Sequence, residues 1–263
     1  MLKTRVIPTL LWKNECLVKG IGFDSWRRIG SVLPAIKVYN LRDVDELILV
    51  DIAATLEKRE PDYSSVSEFS AECFVPLTVG GGVGDLDVIR KLLLSGADKI
   101  TINSAAYENP EFITQAAKRF GSQCIIVSID ARRKSDGSYE CHSHSGTRST
   151  GREVGAWAAE AEKRGAGEIL ITSIEHDGTM KGYDLDLIRH VTQKVSIPVI
   201  ASGGAGCLND FYAAILQGKA AAIAAASIFH FTEKTPLEVK EHLRKQGIHV
   251  RGTHTDQPGK VGA

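Results

Sequence analysis

Two halves of this chain lie over one another at a shift of 122 residues. Pro76 and Pro198, Gly81 and Gly203, Gly82 and Gly204, and Gly96 and Gly218 all stand 122 apart, and the same shift carries Glu46 onto Glu168 and Leu47 onto Ile169. It also lays Asn103-Ser104-Ala105 over Ala225-Ala226-Ser227. An internal repeat constrains the fold before any local pattern does. In each copy a short apolar strand follows a proline and runs into a glycine-rich turn: Val75–Val83 (VPLTVGGGV) and Ile197–Gly206 (IPVIASGGAG). Helical patterns follow at Asp85–Ser95 and Leu208–Gln217. Strands alternating with helices mark parallel βαβ units. Four units per half make eight, and about 250 residues is the usual length of a (β/α)₈ barrel. The predicted fold class is therefore α/β, a (β/α)₈ TIM barrel built from two repeated half-barrels. A doubly wound open sheet does not account for a fourfold-plus-fourfold repeat.

No Pro/Ser-rich linker divides the chain, so residues 1–251 are predicted to form a single barrel domain. The polar, glycine-containing stretch 252–263 is expected to be a disordered tail. The 32 basic and 32 acidic residues balance, which argues against a general nucleic-acid or membrane surface. No apolar run approaches a bilayer span, and the first residues carry no signal-peptide core. Five scattered cysteines without a C-x-x-C pair suit a reducing compartment. The expected localisation is cytoplasmic.

In a barrel, the strand C-terminal ends and the loops after them carry the chemistry. A strand over Arg5–Leu10 (RVIPTL) puts Leu11 there, and the loop to Phe23 carries Lys19, a candidate grip for an anionic group on a mobile loop. Strand Glu46–Asp51 ends at Asp51, which can orient a substrate or cap its own loop. Backbone N–H groups at a glycine turn and helix start suit a phosphate. Gly82 with Asn103 and Ser104, at the end of strand Asp98–Ile102, forms one expected phosphate cradle. Helix capping is the competing role for Asn103-Ser104, and Asn109-Pro110 marks a helix start nearby. Gly203, Gly204, Ala226 and Ser227 form the second cradle, related to the first by the repeat. The loop Ser173–Gly182 brings Asp177-Gly178 to the same face.

Strand Gln123–Ile129 delivers Asp130, well placed for general acid–base work. Beyond it an excursion over Tyr139–Gly146 holds Cys141-His142-Ser143-His144. In a strand, Cys141 and Ser143 point one way and His142 and His144 the other, so this reads as a half-exposed, substrate-facing strand and not as a metal site. No metal and no cofactor are expected. At the opposite end of the bore, Arg5, Glu46, Lys99 and Glu168 stand at or near the starts of their strands. They form either an ion-paired plug or a ring that opens as a gate.

Nearly the whole chain, from Met1 to about Arg251, resembles the cyclase subunit of imidazole glycerol phosphate synthase, the HisF family. The resemblance rests on VDELILVDI (Val44–Ile52), FVPLTVGGGV (Phe74–Val83), KLLLSGADKITINSAA (Lys91–Ala106), RFGSQCIIVSIDA (Arg119–Ala131) and IPVIASGGAG. It implies that a glutaminase docks on the N-terminal barrel face and that Arg5, Glu46, Lys99 and Glu168 gate ammonia into the bore. Ammonia then attacks a bis-phosphorylated ribulosyl substrate at the other face. The resemblance assigns Gly82, Asn103 and Ser104 to one phosphate, and Asp177, Gly178, Gly204, Ala226 and Ser227 to the other, with Lys19 on a flexible loop above.

The family pattern has catalytic aspartates at the ends of strands one and five. Asp130 supplies the second, but the first position is Leu11, which can neither give nor take a proton. The glycine pair of the fifth loop is also altered, to Ser145-Gly146. Losing a general acid or base costs about 10²–10⁴-fold in rate. A chain that keeps the ammonia entrance without the acid pair is similar to paralogues found with surface-polysaccharide genes. There a glutaminase, a barrel and an ATP-using amidotransferase convert a sugar N-acyl group to an amidine. An ammonia-channelling subunit of a glutamine amidotransferase complex is the leading expectation. A cyclase of histidine biosynthesis is the alternative, and a sugar-phosphate isomerase on the same scaffold ranks third.

Overall fold

The computed structural model describes residues 3–252. The tail expected over 252–263 thus falls, apart from its first residue, outside the described residues. Eight parallel strands close a barrel: β1 (Arg5–Lys13), β4 (Leu47–Asp51), β5 (Leu77–Gly80), β6 (Lys99–Ile102), β7 (Ile125–Arg133), β10 (Glu168–Ser173), β11 (Val199–Ser202) and β12 (Ala222–Ala225). Pairing of β10 with β7 on one side and β12 with β1 on the other completes the circle. Two hairpins extend it at the C-terminal end: β2 (Cys16–Ile21) with β3 (Asp24–Gly30) beyond β1, and β8 (Tyr139–Ser143) with β9 (Arg148–Glu153) beyond β7. The fold is the (β/α)₈ barrel expected from the repeat.

The helices between the strands are α1 (Val32–Asn40), α2 (Tyr63–Ala71), α3 (Leu86–Leu94), the short α4 (Ser104–Glu108), α5 (Glu111–Phe120), α6 (Val154–Lys163), α7 (Leu185–Thr192) and α8 (Leu208–Leu216). A short α9 (Ser227–Phe231) and α10 (Pro236–Lys245) follow β12. Local chemistry starts several of them. Asp85 and Asp184 accept backbone N–H bonds at the first turns of α3 and α7, and Thr235 with Glu238 makes a capping box ahead of Pro236. None of the described helices is long and apolar enough to cross a membrane.

Strand alternation builds two cores. On β1, Val6 and Leu10 face the helices and join the large outer core, with Trp12 edge-on to Phe69. Ile7 faces inward, with Ile48, Ile126, Leu170, Ile200, Ala222 and Ala224, as an apolar girdle inside the barrel.

The repeat is visible in three dimensions. β5 and β11, and α3 and α8, keep the shift of 122. The overlay of Asn103-Ser104-Ala105 on Ala225-Ala226-Ser227 is corrected by one residue. Asn103 precedes α4 at φ −126°, and its structural counterpart before α9 is Ala226, also at φ −126°. Ser104 therefore matches Ser227. The extra residue sits between Gly218 and β12, where Lys219 takes φ +63°.

Candidate functional site at the barrel mouth

The C-terminal ends of the strands surround a cavity of about 710 Å³. Leu11, Lys19, Gly82, Asn103, Ser104, Asp130, Asp177, Gly178, Gly203, Gly204, Ala226 and Ser227 all line it. Residues from both halves of the sequence thus meet at one mouth. The close approach of loops there excludes side chains from the glycine turns. A Cβ on Gly82 (φ +69°) would lie 2.8 Å from the Arg59 carbonyl oxygen, and one on Gly204 (φ +114°) would lie 2.1 Å from that of Gly182.

Asp130 is the buried acid of the mouth. β7 holds it between Thr172 of β10 and His142 of β8. The Asn103 amide donates to its Oδ2 at 3.1 Å and to the Ser128 carbonyl at 3.2 Å. Burial, with the nearby Asp177 charge adding to it, raises the Asp130 carboxyl to about 7. Such a group exchanges a proton near neutrality. Leu11, on β1 between Val18 and Val50, puts an apolar side chain into the same cavity and offers no second acid.

The competing capping role of Asn103 does not occur: its side chain makes no cap bond and turns inward to Asp130. Ser104 Oγ donates to Asn103 Oδ1 at 3.3 Å and accepts from the His144 backbone N–H at 3.0 Å. Asp51 takes the loop-capping alternative, accepting from the Ala53 and Ala54 N–H groups, and is salt-bridged to Arg59 at 2.7 Å.

Lys19 departs most from expectation. It lies on strand β2, not on a mobile loop, and only 2% of it is exposed. Its ammonium is 2.6 Å from Asp177 Oδ2. Two backbone contacts hold the same seam, because Gly22 N–H donates to the Asp177 carbonyl at 2.8 Å and Gly178 packs against the Gly20 carbonyl. The β2–β3 hairpin is thus tied across the mouth to the loop after β10.

The Tyr139–Ser143 strand is also corrected. Cys141, His142 and Ser143 are buried, because α6 packs over β8 and β9. Only the turn beyond and the first residue of β9 reach the cavity, through His144, Ser145 and Arg148. Among the described residues no group of His, Cys, Asp and Glu side chains is arranged to hold a metal ion.

At the opposite end of the bore the four charges meet. Arg5 donates to Glu46 at 2.9 Å and to Glu168 at 2.6 Å, while Lys99 reaches Glu46 at 3.1 Å and Glu168 at 2.6 Å. Each cation bridges both carboxylates, so the ring is closed. Burial opposes the charge on Arg5, yet its bonds to Glu168 and Glu46 outweigh it and hold the guanidinium above its ordinary pKa. Burial likewise works against the Glu168 carboxylate, and Arg5 and Lys99 together bring it below the usual range. The apolar girdle separates this ring from the mouth.

Sequence reasoning passed over four residues. Arg59 sits in an irregular loop and Arg148 at the start of a hairpin strand, with no motif to mark either. The buried pair Lys240–Asp45, 2.6 Å apart beside the ring, joins residues distant in sequence. Against this geometry, the family model described as histidine biosynthesis protein matches residues 5–235, well over half of the chain. The architecture and that match together place this chain in the histidine biosynthesis protein family.

Proposed function

We propose that this protein is a HisF-like subunit that receives ammonia from a glutaminase docked on its N-terminal barrel face and conducts it through the bore. The observation that carries this reading is the ring of Arg5, Glu46, Lys99 and Glu168 closing the entrance beneath an apolar girdle. Two cations and two carboxylates balance within the ring, and the more exposed Arg251 approaches Glu46 from outside at 3.7 Å. Above them the bore is lined by Ile7, Ile48, Ile126, Leu170 and Ile200. Apolar walls tolerate neutral ammonia and exclude ammonium, because an unpaired ion loses its hydration there. Opening the ring means separating ion pairs, which a docked partner can do by offering replacement partners to Glu46 or Lys99.

Leu11 supports a conduit over a competent cyclase, since the mouth holds Asp130 without a second acid at the end of β1. The ammonia is then handed to an ATP-using amidotransferase that amidates a nucleotide sugar. Asp130, raised to about 7, favours the second reading, a cyclase subunit of histidine biosynthesis that works with one acid. The conduit is tested by mixing the protein with the glutaminase and measuring glutamine turnover. Complex formation with a rise in turnover is expected; no complex and no stimulation overturns the proposal.

A further inference from the structure

The charge ring at the base of the bore is not held evenly. Glu168 binds both cations tightly, with Arg5 Nη2 and Lys99 Nζ each at 2.6 Å. Glu46 holds the same two at 2.9 and 3.1 Å, so the ring is weakest on its side. Glu46 is also poorly placed to stand alone, because only 2% of it is exposed. Taking one partner from a buried pair leaves a charge that water cannot reach.

A third cation stands beside that weak side. Arg251 Nη2 lies 3.7 Å from Glu46 Oε1, the oxygen that also accepts from Arg5 Nη1. Arg251 belongs to the segment after α10, which runs beside the start of β1. The His249 carbonyl accepts the Thr4 N–H at 2.8 Å, and Val250 pairs with Thr4 and is buried in the outer core. The base of the Arg251 side chain is therefore fixed. Its Nη1 donates to the Asp45 carbonyl at 3.2 Å, yet 45% of the side chain is exposed and has room to move.

The backbone at Asp45 and Glu46 does not yield. Asp45 accepts the Val6 N–H at 2.8 Å and is paired with Lys240 at 2.6 Å. What can turn is the Glu46 side chain. Glu168, its counterpart in the repeat, has only Arg5 and Lys99 within ion-pair distance among the described residues.

We propose that Arg251 is a relief partner that lets the ring open on one side: as the Lys99–Glu46 contact parts, Lys99 stays with Glu168 and Glu46 passes to Arg251. An approach of about 1 Å brings the guanidinium to the distance of a charge-assisted hydrogen bond. No carboxylate is stranded in the exchange. The proposal deepens the reading of the ring as a gate and rests on it, naming a switch within this chain itself.

The test is a double-mutant cycle on the full chain, read by urea unfolding. Arg251→Ala is expected to raise the unfolding equilibrium constant less than about fivefold in the unmodified chain, as for an exposed ion pair. In Lys99→Met, where Glu46 depends on Arg251, the same change should raise it by at least a further tenfold, with partial recovery in Arg251→Lys. Adding Glu46→Gln to Lys99→Met should erase that excess. A side chain that only ties the segment to Asp45 would cost the same in both backgrounds. Equal costs overturn the proposal, as does a crystal structure of Lys99→Met with Arg251 no closer to Glu46. Should Lys99→Met not fold, nitrogen relaxation dispersion on the unmodified chain decides. The Arg251 Nε and Lys99 Nζ signals are then expected to exchange at one common rate that Glu46→Gln removes, and unrelated or absent exchange overturns the proposal. The cycle needs no glutaminase, so its failure strikes the exchange, whereas a failure of glutaminase stimulation strikes the conduit.

Discussion

The raised Asp130 carboxyl gives this fold a definite pH dependence. In the unfolded chain Asp130 titrates near 3.8, and in the folded barrel near 7. Between those values the folded state holds a proton that the unfolded chain has lost. The resulting stability is fully present below 3.8 and is lost as pH rises through 7. The gap of about 3 pH units, at about 1.4 kcal/mol each, amounts to about 4 kcal/mol. Asp130→Asn removes the titration and retains an oxygen for the Asn103 amide. Urea unfolding of both proteins at several pH values between 4 and 8.5 measures the effect. The variant is expected to gain on the unmodified chain as pH rises toward 7 and to level off above it, about 4 kcal/mol ahead at pH 8.5. Parallel curves for the two proteins would refute the reasoning. They would mean that water or local movement solvates the carboxylate, and that Asp130 is an ordinary acid.

Three other outcomes are expected. With saturating ammonium salt and the bis-phosphorylated imidazole precursor, the unmodified chain should show no cyclase turnover. Leu11→Asp should raise the rate by about 10²–10⁴-fold if the missing acid is the only defect. Arg5→Met leaves Glu168 with Lys99 alone, and Glu46 with Lys99 and the more distant Arg251 at 3.7 Å, and should cost about 3–5 kcal/mol in chemical denaturation at pH 7. Because Glu168 is held below its ordinary 4.5, that difference should persist above this value and shrink as pH falls below it. Lys19→Met strands the buried Asp177 carboxylate and unlatches the hairpin, so trypsin should cut at Arg27 and Arg28 sooner than in the unmodified chain.

The spacing of 122 residues and the period-two alternation of the strands were enough to specify a closed barrel with two related glycine turns. Closure follows because each half has an unpaired strand edge that only its copy can satisfy. The same alternation put Arg5, Glu46, Lys99 and Glu168 at one end of the bore, and Asp130, Asn103 and Ser227 at the other. Strand parity and direction are local properties, so they can be read from the residues themselves.

Which groups then pair is settled through space. Lys19 and Asp177 stand 158 positions apart, and only packing of the hairpin against the loop after β10 makes one the partner of the other. Arg5 could have paired with one carboxylate, yet the circular geometry lets it bridge two. The one-residue offset at Ala226 and Ser227 was invisible because an insertion in a short turn leaves the flanking strand pattern intact. The strand over Cys141–Ser143 read as half-exposed because its covering helix, α6, comes later in the chain. Sequence determined what each strand could present and at which end. Only the tertiary structure decided which charges are spent and which stay available, because electrostatic partners are chosen by distance and burial, not by order along the chain.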